Sequence, residues 1–373
     1  MKIIAAVLDQ MGAAGPYIAA RPLRLAELDL APPRQGELLV RIDAAGLCHS
    51  DLSVVNGDRP RPMPMALGHE ATATVVEAGN GSAFSPGDRV VLSFLPACGS
   101  CATCSSGEGY LCAPAAKANG EGRLLRGEQR LTEKGSPIFH HLGASAFATH
   151  AVVDERSAVR IPGDIPPAVA ALFGCAILTG VGAVMNSAKV RPGESVAVYG
   201  LGGVGLSALL GAVAAGAEPI IAIDPLPAKR ELALAMGARM AVAPADAAAA
   251  IAEASPGGAD VVIETAGKAS VLAAAYAATR RGGRTVTVGL PNPKEMLSIP
   301  AVSLVADAKT LMGSYMGSSI PSRDIPRMIA LWRAKRLPVE QLITSVSPLA
   351  DINRLLDELA SGAAIRQIIL PRP

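Results

Sequence analysis

The chain has 373 residues, of which 50% are hydrophobic, 18% are charged and only 3% are aromatic. This length exceeds what one hydrophobic core usually holds, so it predicts two domains. Acidic and basic residues nearly balance at a net charge of +2, which makes nucleic acid and anionic membranes poor candidates as partners. The start, MKIIAAVLDQ, has an apolar run too short for a signal peptide, and we expect a cytoplasmic protein.

The part of the chain up to about residue 165 is predicted to be β-rich. Its short β-branched runs (GELLVRIDAAG, ATATVVEAG, DRVVLSF and HAVVDERSAVRI) are separated by Gly, Pro, Asn and Asp. Residues 113–145 are polar and glycine-rich, which predicts a long surface loop. Residues 168–185 approach the length of a membrane span, but they contain three glycines and a cysteine, so a buried helix is the better interpretation.

Strands and helices alternate after Pro192, which is typical of a parallel, doubly wound sheet. Near residue 320 the alternation ends in an amphipathic helix, a strand, a further helix and a last strand, IRQIIL. We expect this tail to fold back onto the first domain. The predicted fold is therefore α/β, with residues 1–178 and 322–373 in one, β-rich domain and residues 179–321 in a second domain that contains the doubly wound sheet.

Four of the six cysteines lie in one short run at Cys98, Cys101, Cys104 and Cys112. Four thiolates at this spacing are typical of a closed, tetrahedral zinc site. In bacterial iron–sulfur motifs the fourth cysteine follows after three residues and precedes proline, whereas here the gap is seven residues and alanine follows. Two disulfides would need an oxidising compartment, which nothing in the sequence indicates. The run therefore predicts a structural zinc ion.

The two remaining cysteines, Cys48 and Cys175, would make a second zinc site together with His69. Three protein ligands leave the fourth position open for water or substrate, as in catalytic zinc sites. Glu70 follows the histidine directly, and Asp51 could accept a hydrogen bond from its second ring nitrogen. Each residue alone favours an ordinary buried cysteine or histidine. The complete set, with no cysteine left over, predicts a two-zinc enzyme.

A nucleotide site is indicated by the turn Gly200-Leu-Gly202-Gly-Val-Gly205, which follows the strand SVAVY and opens an apolar helix. These glycines permit a tight turn, close approach of a pyrophosphate and close packing of helix on strand. Asp224 ends the next strand, nineteen residues after Gly205. It would bind the ribose hydroxyls of NAD and repel the 2′-phosphate of NADP, although a helix-capping aspartate is the alternative. Lys229 could also reach this ribose.

At these residues the chain resembles the zinc-dependent alcohol dehydrogenases of the medium-chain dehydrogenase/reductase superfamily, in the long form of the class I and class III type. The resemblance rests on GLCHSD, LGHEATATV, the four-cysteine run, GCAILTG, GLGGVG with Asp224, and AIRQIIL, and it covers nearly the whole chain. It implies a GroES-like catalytic domain, a Rossmann domain and two zinc ions per chain, with NAD as cofactor.

The resemblance also implies roles for single residues. Ser50 would pass on the alcohol proton, His49 and Arg366 would contact the pyrophosphate, and the nicotinamide would be lined by Thr179, Val204, Val288 and Leu290. In this chemistry zinc lowers the pKa of a bound alcohol, and the resulting alkoxide delivers hydride to NAD. Two departures stand out. Ser53 replaces the histidine that ends the proton relay in several relatives, and His49 replaces a common arginine.

The substrate is predicted to be an apolar or aromatic primary alcohol. The alternative is S-(hydroxymethyl)glutathione, which the related glutathione-dependent class binds with basic and acidic residues. APAAKANG lacks the arginine of that class, and NGDRPRPMPM lacks its paired acids. Candidate pocket walls are Met63, Met65, Phe94 and Phe147, although each of these side chains could equally belong to the ordinary core. A non-catalytic dinucleotide-binding protein is a remote alternative, since such a protein would be free to lose Cys48, Ser50, His69 or Cys175.

A homodimer or a dimer of dimers is predicted from the region after RTVTVGLP, where KTLMGSYMG is a second run able to form a strand. Lys309 is the only charge between residues 308 and 317, so little protects this edge from pairing with a second copy. Residues 296–318 are the expected interface.

Overall fold

The computed structural model describes residues 1–127 and 129–372, which form two compact units. The first unit contains residues 1–175, 320–325 and the chain from residue 340 onward, and the second contains residues 176–319 and 326–339. The division thus falls at 175/176 and 319/320, where the sequence predicted 178/179 and 321/322. Residues 326–339, which the sequence placed in the catalytic domain, lie in the second unit.

Strands within the described residues are numbered in chain order: β1 Lys2–Leu8, β2 Leu23–Leu30, β3 Glu37–Leu47, β4 Met65–Ala66, β5 Glu70–Ala78, β6 Arg89–Leu92, β7 Leu131–Glu133, β8 Ser136–His140, β9 His150–Asp154, β10 Ala158–Arg160, β11 Val196–Tyr199, β12 Ile220–Ile223, β13 Met240–Val242, β14 Ala259–Glu264, β15 Thr279–Thr287, β16 Thr310–Gly313, β17 Ile343–Pro348 and β18 Arg366–Leu370.

The α-helices are numbered in the same way: α1 Tyr17–Ala20, α2 His49–Val55, α3 Ala102–Ser105, α4 Ala113–Gly120, α5 Pro167–Ala171, α6 Ala176–Gly182, α7 Gly203–Ala215, α8 Pro227–Ala235, α9 Ala247–Ala254, α10 Ala269–Ala278, α11 Ala301–Ala306, α12 Pro321–Arg333 and α13 Ile352–Ala360.

The first unit is built on two sheets. One is a closed barrel in the order β1-β2-β7-β8-β4, and the other runs β10-β6-β5-β3-β18-β17, with β9 also paired to β3. The antiparallel pairing of β18 with β3, which joins Gln367 to Leu47, confirms that the tail folds back onto the first domain. Inward side chains of β3, β5 and β6 form the main core, and α13 packs into it through Leu355, Leu356 and Leu359.

The prediction of a long surface loop at residues 113–145 is wrong. This segment contains α4 and the hairpin β7–β8, whose strands close the barrel. Leu124, Leu131 and Ile138 are buried in the barrel core. Polar residues and glycines separate these apolar side chains along the chain, and Gly135 makes a hairpin turn at φ +86° rather than marking a flexible loop.

The second unit contains one six-stranded parallel sheet in the order β13-β12-β11-β14-β15-β16. This order places the first strand of the unit at the centre and reverses direction between β11 and β14, as the predicted doubly wound sheet requires. Strands β11, β12 and β14 are almost entirely buried, because helices cover both faces of such a sheet. The predicted fold class is confirmed.

The apolar segment predicted as a buried helix is a bent pair of helices, Pro167–Gly174 and Ala176–Ala188, which meet at 52°. Residues 169–184 of this pair are all buried in the protein. Among the described residues, no single helix is both long enough and apolar enough to cross a membrane, although this bent pair passes the same test by length and composition alone.

Candidate active site

The four-cysteine run folds into one cluster of sulfur atoms. The Sγ atoms of Cys98, Cys101, Cys104 and Cys112 lie within 4.8 Å of one another, with 3.9 Å between Cys98 and Cys104 and between Cys101 and Cys112. All six cysteines of the chain are free, so the disulfide alternative is wrong. Sulfur atoms at these separations surround a small central volume, and four thiolates are the donor set that closed zinc sites use.

This cluster holds together a lobe, residues 97–112, that has almost no core. None of residues 97–111 is buried, and the lobe's helix α3 has only four residues. Backbone N–H groups already point at the sulfurs, with Cys98 N donating to Cys112 Sγ at 3.2 Å and Cys101 N to Cys98 Sγ at 3.3 Å. The Thr103 hydroxyl, 3.3 Å from Cys101 Sγ, lowers the pKa of that thiol to about 6. The lobe therefore fits a structural zinc ion.

A second cluster brings together Cys48, His69 and Cys175, whose ligand atoms lie within 4.8 Å of one another and of a Glu70 oxygen. Cys48 precedes α2, His69 precedes β5, and Cys175 lies between α5 and α6. All three are buried within the first unit. Nε2 of His69 has no hydrogen-bond partner among the described residues, which is unusual for a buried ring nitrogen. Two sulfurs and this free nitrogen fit a zinc ion with one position left open.

Asp51 orients His69 as predicted from the sequence. Its Oδ1 lies 3.1 Å from His69 Nδ1, and its Oδ2 accepts a hydrogen bond of 3.0 Å from the backbone N–H of Cys48. An ionised carboxylate only accepts, so Nδ1 carries the proton and Nε2 is free to bind a metal. Burial of Asp51 is outweighed by the nearby imidazoles, which lower the pKa of its carboxyl group. Asp51 also caps helix α2, so the same residue fixes both ligands.

The charges around this cluster favour a thiolate. A hydrogen bond from Cys175 and the nearby guanidinium of Arg366 hold the pKa of the Cys48 thiol well below its ordinary value. Burial raises the pKa of Glu70 to about 7, and neither of its carboxyl oxygens has a hydrogen-bond partner in the part of the chain that the structure describes. Arg366 is 3% exposed, and its Nη1 lies 3.8 Å from Glu70 Oε2. A buried arginine beside two sulfurs and a carboxyl offsets their negative charge.

The glycine turn of the second unit has the geometry that a pyrophosphate needs. Gly200 has φ +88°, and a side chain on Gly205 would lie 1.8 Å from the carbonyl oxygen of Gly200. A side chain on Gly202 would meet nothing within 4 Å, so this position opens to a ligand. The first N–H groups of α7 follow directly, where a helix N-terminus attracts negative charge.

Asp224 follows β12 and is 5% exposed. Its carboxylate accepts hydrogen bonds from Leu201 N at 2.8 Å and Leu226 N at 2.9 Å, so it also ties the glycine turn to the following loop. Lys229, predicted near the ribose, is half-buried on α8. Sequence reasoning missed Arg230, which donates to the carbonyl oxygens of Asp224 and Pro225, both at 2.8 Å.

The other predicted residues divide between the two units. Ser50 is half-buried on α2 with its Oγ 3.9 Å from Cys48 Sγ, and His49 is exposed at the start of the same helix. The four predicted nicotinamide contacts belong to the second unit. Thr179 is buried in α6, Val204 and Val288 are half-buried, and Leu290 is 55% exposed.

Of the four candidate pocket walls, Phe94 contacts His69. Its ring stands edge-on to His69 with 5.9 Å between ring centroids. Met65 and Phe147 are completely buried, and Met63 packs against the same main core. Those three side chains serve packing in this structure, which was the alternative that the sequence left open.

Sequence reasoning missed His141 altogether. It is 1% exposed, and its Nδ1 lies 3.2 Å from the same Asp51 oxygen that binds His69. Asp51, His69 and His141 thus form a third group of close polar atoms. The residue lies in the segment predicted as a surface loop, so nothing in the sequence marked it as buried.

A doubly wound sheet with a three-glycine turn, a closed four-thiol cluster and an open Cys2His set together define a zinc-containing, dinucleotide-dependent oxidoreductase. Comparison with known proteins narrows this class. Residues 34–163 match the alcohol dehydrogenase GroES-like domain, and residues 203–334 match the zinc-binding dehydrogenase domain. The chain belongs to the zinc-dependent alcohol dehydrogenases of the medium-chain superfamily.

Its relatives differ in substrate. The chain is 40% identical to a geraniol dehydrogenase of Castellaniella defragrans, over 98% of this chain and 97% of that protein. It is 36% identical to an S-(hydroxymethyl)glutathione dehydrogenase of Synechocystis, over 99% of this chain and 100% of that protein. Its fold is similar to that of the benzyl alcohol dehydrogenase of Acinetobacter calcoaceticus, with a TM-score of 0.92 and 32% identity over 99% of both chains.

Proposed function

We propose that this enzyme oxidises a primary alcohol with an apolar or aromatic substituent to the aldehyde, reversibly and with NAD as the hydride acceptor. The observation that carries this proposal is the Phe94 ring, which stands edge-on to the ligand His69. An aromatic ring beside the reacting centre favours an apolar carbon chain or ring next to the alcohol carbon. The similarity to geraniol and benzyl alcohol dehydrogenases supports the same substrate class.

The chain's own residues divide the chemistry between them. Zinc held by Cys48, His69 and Cys175 would supply Lewis acidity toward the alcohol oxygen. Asp51 holds the imidazole of His69 in the tautomer that can bind a metal. Ser50, the hydroxyl beside Cys48 Sγ, is the group that accepts and passes on the alcohol proton. With Ser53 in place of a histidine, we expect this proton to leave through the cofactor ribose, water or the exposed His49.

S-(hydroxymethyl)glutathione is the second candidate, favoured by the 36% identical relative that bears its name. The substrate carries carboxylates that need basic partners. In α4, which replaces the expected loop, Lys117 is the only basic side chain, and it is directed toward Glu121 at 4.0 Å. The amino group of glutathione needs acidic partners. Residues 56–65 contain one acidic residue, Asp58, and it accepts a hydrogen bond from Asn56. This polar set does not suit glutathione.

A panel of alcohols, assayed through NADH absorbance, tests the proposal. We expect kcat/KM for benzyl alcohol and for an allylic terpene alcohol to exceed that for S-(hydroxymethyl)glutathione by at least about tenfold. A preference for the glutathione adduct would overturn the substrate class. Turnover of none of them, with one zinc ion bound per chain, would favour the non-catalytic alternative.

Cofactor choice follows from Asp224. Replacing it with asparagine keeps an acceptor for one backbone N–H but removes the negative charge that would repel a 2′-phosphate. We expect Asp224→Asn to narrow the ratio of kcat/KM for NAD over NADP by at least about tenfold, or 1.4 kcal/mol. Glu231→Gln, an equal charge change on the following helix α8, serves as the control. A wild-type enzyme that uses both cofactors equally would contradict the assignment.

We further infer a homodimer, with residues 296–318 at the interface. Strand β16 ends the six-stranded sheet and has only β15 as a partner within the described chain. In the segment of the chain that precedes β16, Met296 and Val305 are each 85% exposed and Val302 is 72% exposed. The charge of Lys309 does not prevent pairing at the β16 edge, because its ammonium group donates a hydrogen bond of 3.1 Å to the Tyr276 carbonyl oxygen. An unprotected edge beside exposed apolar side chains favours pairing with a second copy.

Sedimentation velocity at micromolar concentration checks this inference. We expect the wild type to sediment as a dimer or tetramer and Val305→Asp to dissociate it, because a buried unpaired carboxylate costs several kcal/mol. Leu234→Asp, at a residue 47% exposed on α8, is the matched control that should leave assembly unchanged. A wild-type monomer of 37.9 kDa would refute the inference.

A further inference from the structure

A buried histidine, His141, lies next to the proposed zinc ligand His69 and has no role in the proposed alcohol oxidation. His141 is 1% exposed, and its ring stands edge-on to that of His69 with centroids 5.4 Å apart and planes at 86°. The ring of Phe94 also stands edge-on to His69, with 5.9 Å between their centroids, so two aromatic rings pack against the imidazole of the ligand. A buried polar ring costs free energy unless its nitrogens have partners, so its place beside the ligand needs an explanation.

The available partner is the carboxylate of Asp51. His141 Nδ1 lies 3.2 Å from Asp51 Oδ1, and His69 Nδ1 lies 3.1 Å from the same oxygen. The contact of His69 is an aligned hydrogen bond, whereas Nδ1 of His141 has no aligned partner among the described residues. Asp51 Oδ2 is already bound to Cys48 N. Asp51 therefore accepts one hydrogen bond from a backbone N–H and one from His69, and Nδ1 of His141 lies against the same Oδ1 atom, a contact that is favourable when Nδ1 carries the proton.

We propose that His141 is a positioning residue for the zinc ligand His69, acting through the Asp51 oxygen that both imidazoles share. A donor on the second side of Oδ1 limits rotation of the carboxylate, and a carboxylate that cannot rotate holds the His69 ring in the orientation that presents Nε2. The inference rests on the zinc site proposed for Cys48, His69 and Cys175.

Two substitutions separate the donor from the ring. His141→Asn keeps an N–H close to the position of Nδ1 but loses the aromatic ring, and His141→Phe keeps a ring but has no donor. Zinc release from the loaded, full-length enzyme is followed with a chromogenic chelator. The four-cysteine site is an internal control, and His69→Ala identifies which phase of release belongs to the catalytic site.

We expect His141→Phe to lose catalytic zinc about tenfold faster than wild type, since loss of a group that orients a ligand typically costs 10–100-fold in metal affinity. His141→Asn should stay within about threefold of wild type, because it restores the donor. Release from the four-cysteine site should be unchanged in both variants. His150→Asn, at a half-buried histidine on β9, is the matched control.

Three outcomes would overturn the proposal. His141→Phe could release catalytic zinc at the wild-type rate, or His141→Asn could release it as fast as His141→Phe, which would assign the effect to ring packing. A rise in KM for the alcohol with unchanged zinc release would make His141 a substrate contact instead. Failure of the underlying zinc site is distinguishable from these, because the wild type would then show no catalytic phase of release.

Discussion

Replacing His69 or Cys175 with alanine is expected to reduce alcohol oxidation by about three orders of magnitude or more. A bound metal supplies several kcal/mol of charge stabilisation in the transition state, and each 1.36 kcal/mol is worth tenfold in rate. Either change leaves only two of the three residues assigned as zinc ligands, Cys48 and one other, which is too few for a catalytic zinc ion. Zinc content by atomic emission should fall from about two to about one per chain.

The fold of these variants should survive, because the four-cysteine lobe is a separate cluster and neither residue belongs to it. Circular dichroism and thermal unfolding check this point. His150→Ala removes a histidine that is half-buried on β9 and should keep wild-type turnover. Retained turnover in His69→Ala or Cys175→Ala would refute the assignment of the catalytic zinc site.

Cys104→Ala is expected to act on stability first. No residue from 97 to 111 is buried, so the lobe has little besides its four sulfurs to hold it folded. Loss of the metal should cost about 3 kcal/mol, which corresponds to a fall of about 6–12 °C in melting temperature for a unit of this size. Differential scanning calorimetry measures this change, and limited proteolysis should cut first within the lobe.

Ser105→Ala changes the neighbouring exposed residue on α3 without removing a sulfur, and it should melt within about 1 °C of wild type. A Cys104→Ala variant that keeps the wild-type melting temperature and two zinc ions would contradict a closed four-cysteine site. Loss of activity without loss of stability would also count against it, because these cysteines lie outside the catalytic cluster.

Most of the fold could be predicted from the sequence. Short, continuous apolar runs predicted strands β11, β12 and β14, because strands of a parallel sheet are buried on both faces. A longer apolar segment after the glycine turn predicted helix α7. The error at residues 113–145 came from judging the segment by its polar residues and glycines. Leu124, Leu131 and Ile138 are separated by polar side chains, and only closure of the barrel makes those three side chains a core.

Single side chains near the active site were harder to predict. Phe94, Phe147 and Met65 look alike in the sequence, yet Phe94 stands beside His69 while the other two are completely buried in the main core. His141 gave no signal, because a histidine in a polar segment is normally exposed. Which of these side chains faces a ligand depends on the direction of each residue on its strand or turn, and spacing alone does not determine this.

The chemistry of the short motifs can be predicted from their residues alone. Cys98, Cys101, Cys104 and Cys112 are so close along the chain that covalent geometry keeps their sulfurs near one another, and the glycines at 200, 202 and 205 permit one kind of turn. The site formed by residues that are distant in sequence could be found only in the folded protein. It joins Cys48, His69 and Cys175 across more than a hundred residues, and it places two imidazoles on one oxygen of Asp51. Contacts between distant segments depend on how the whole unit packs, and this packing is a property of many weak interactions rather than of any one motif.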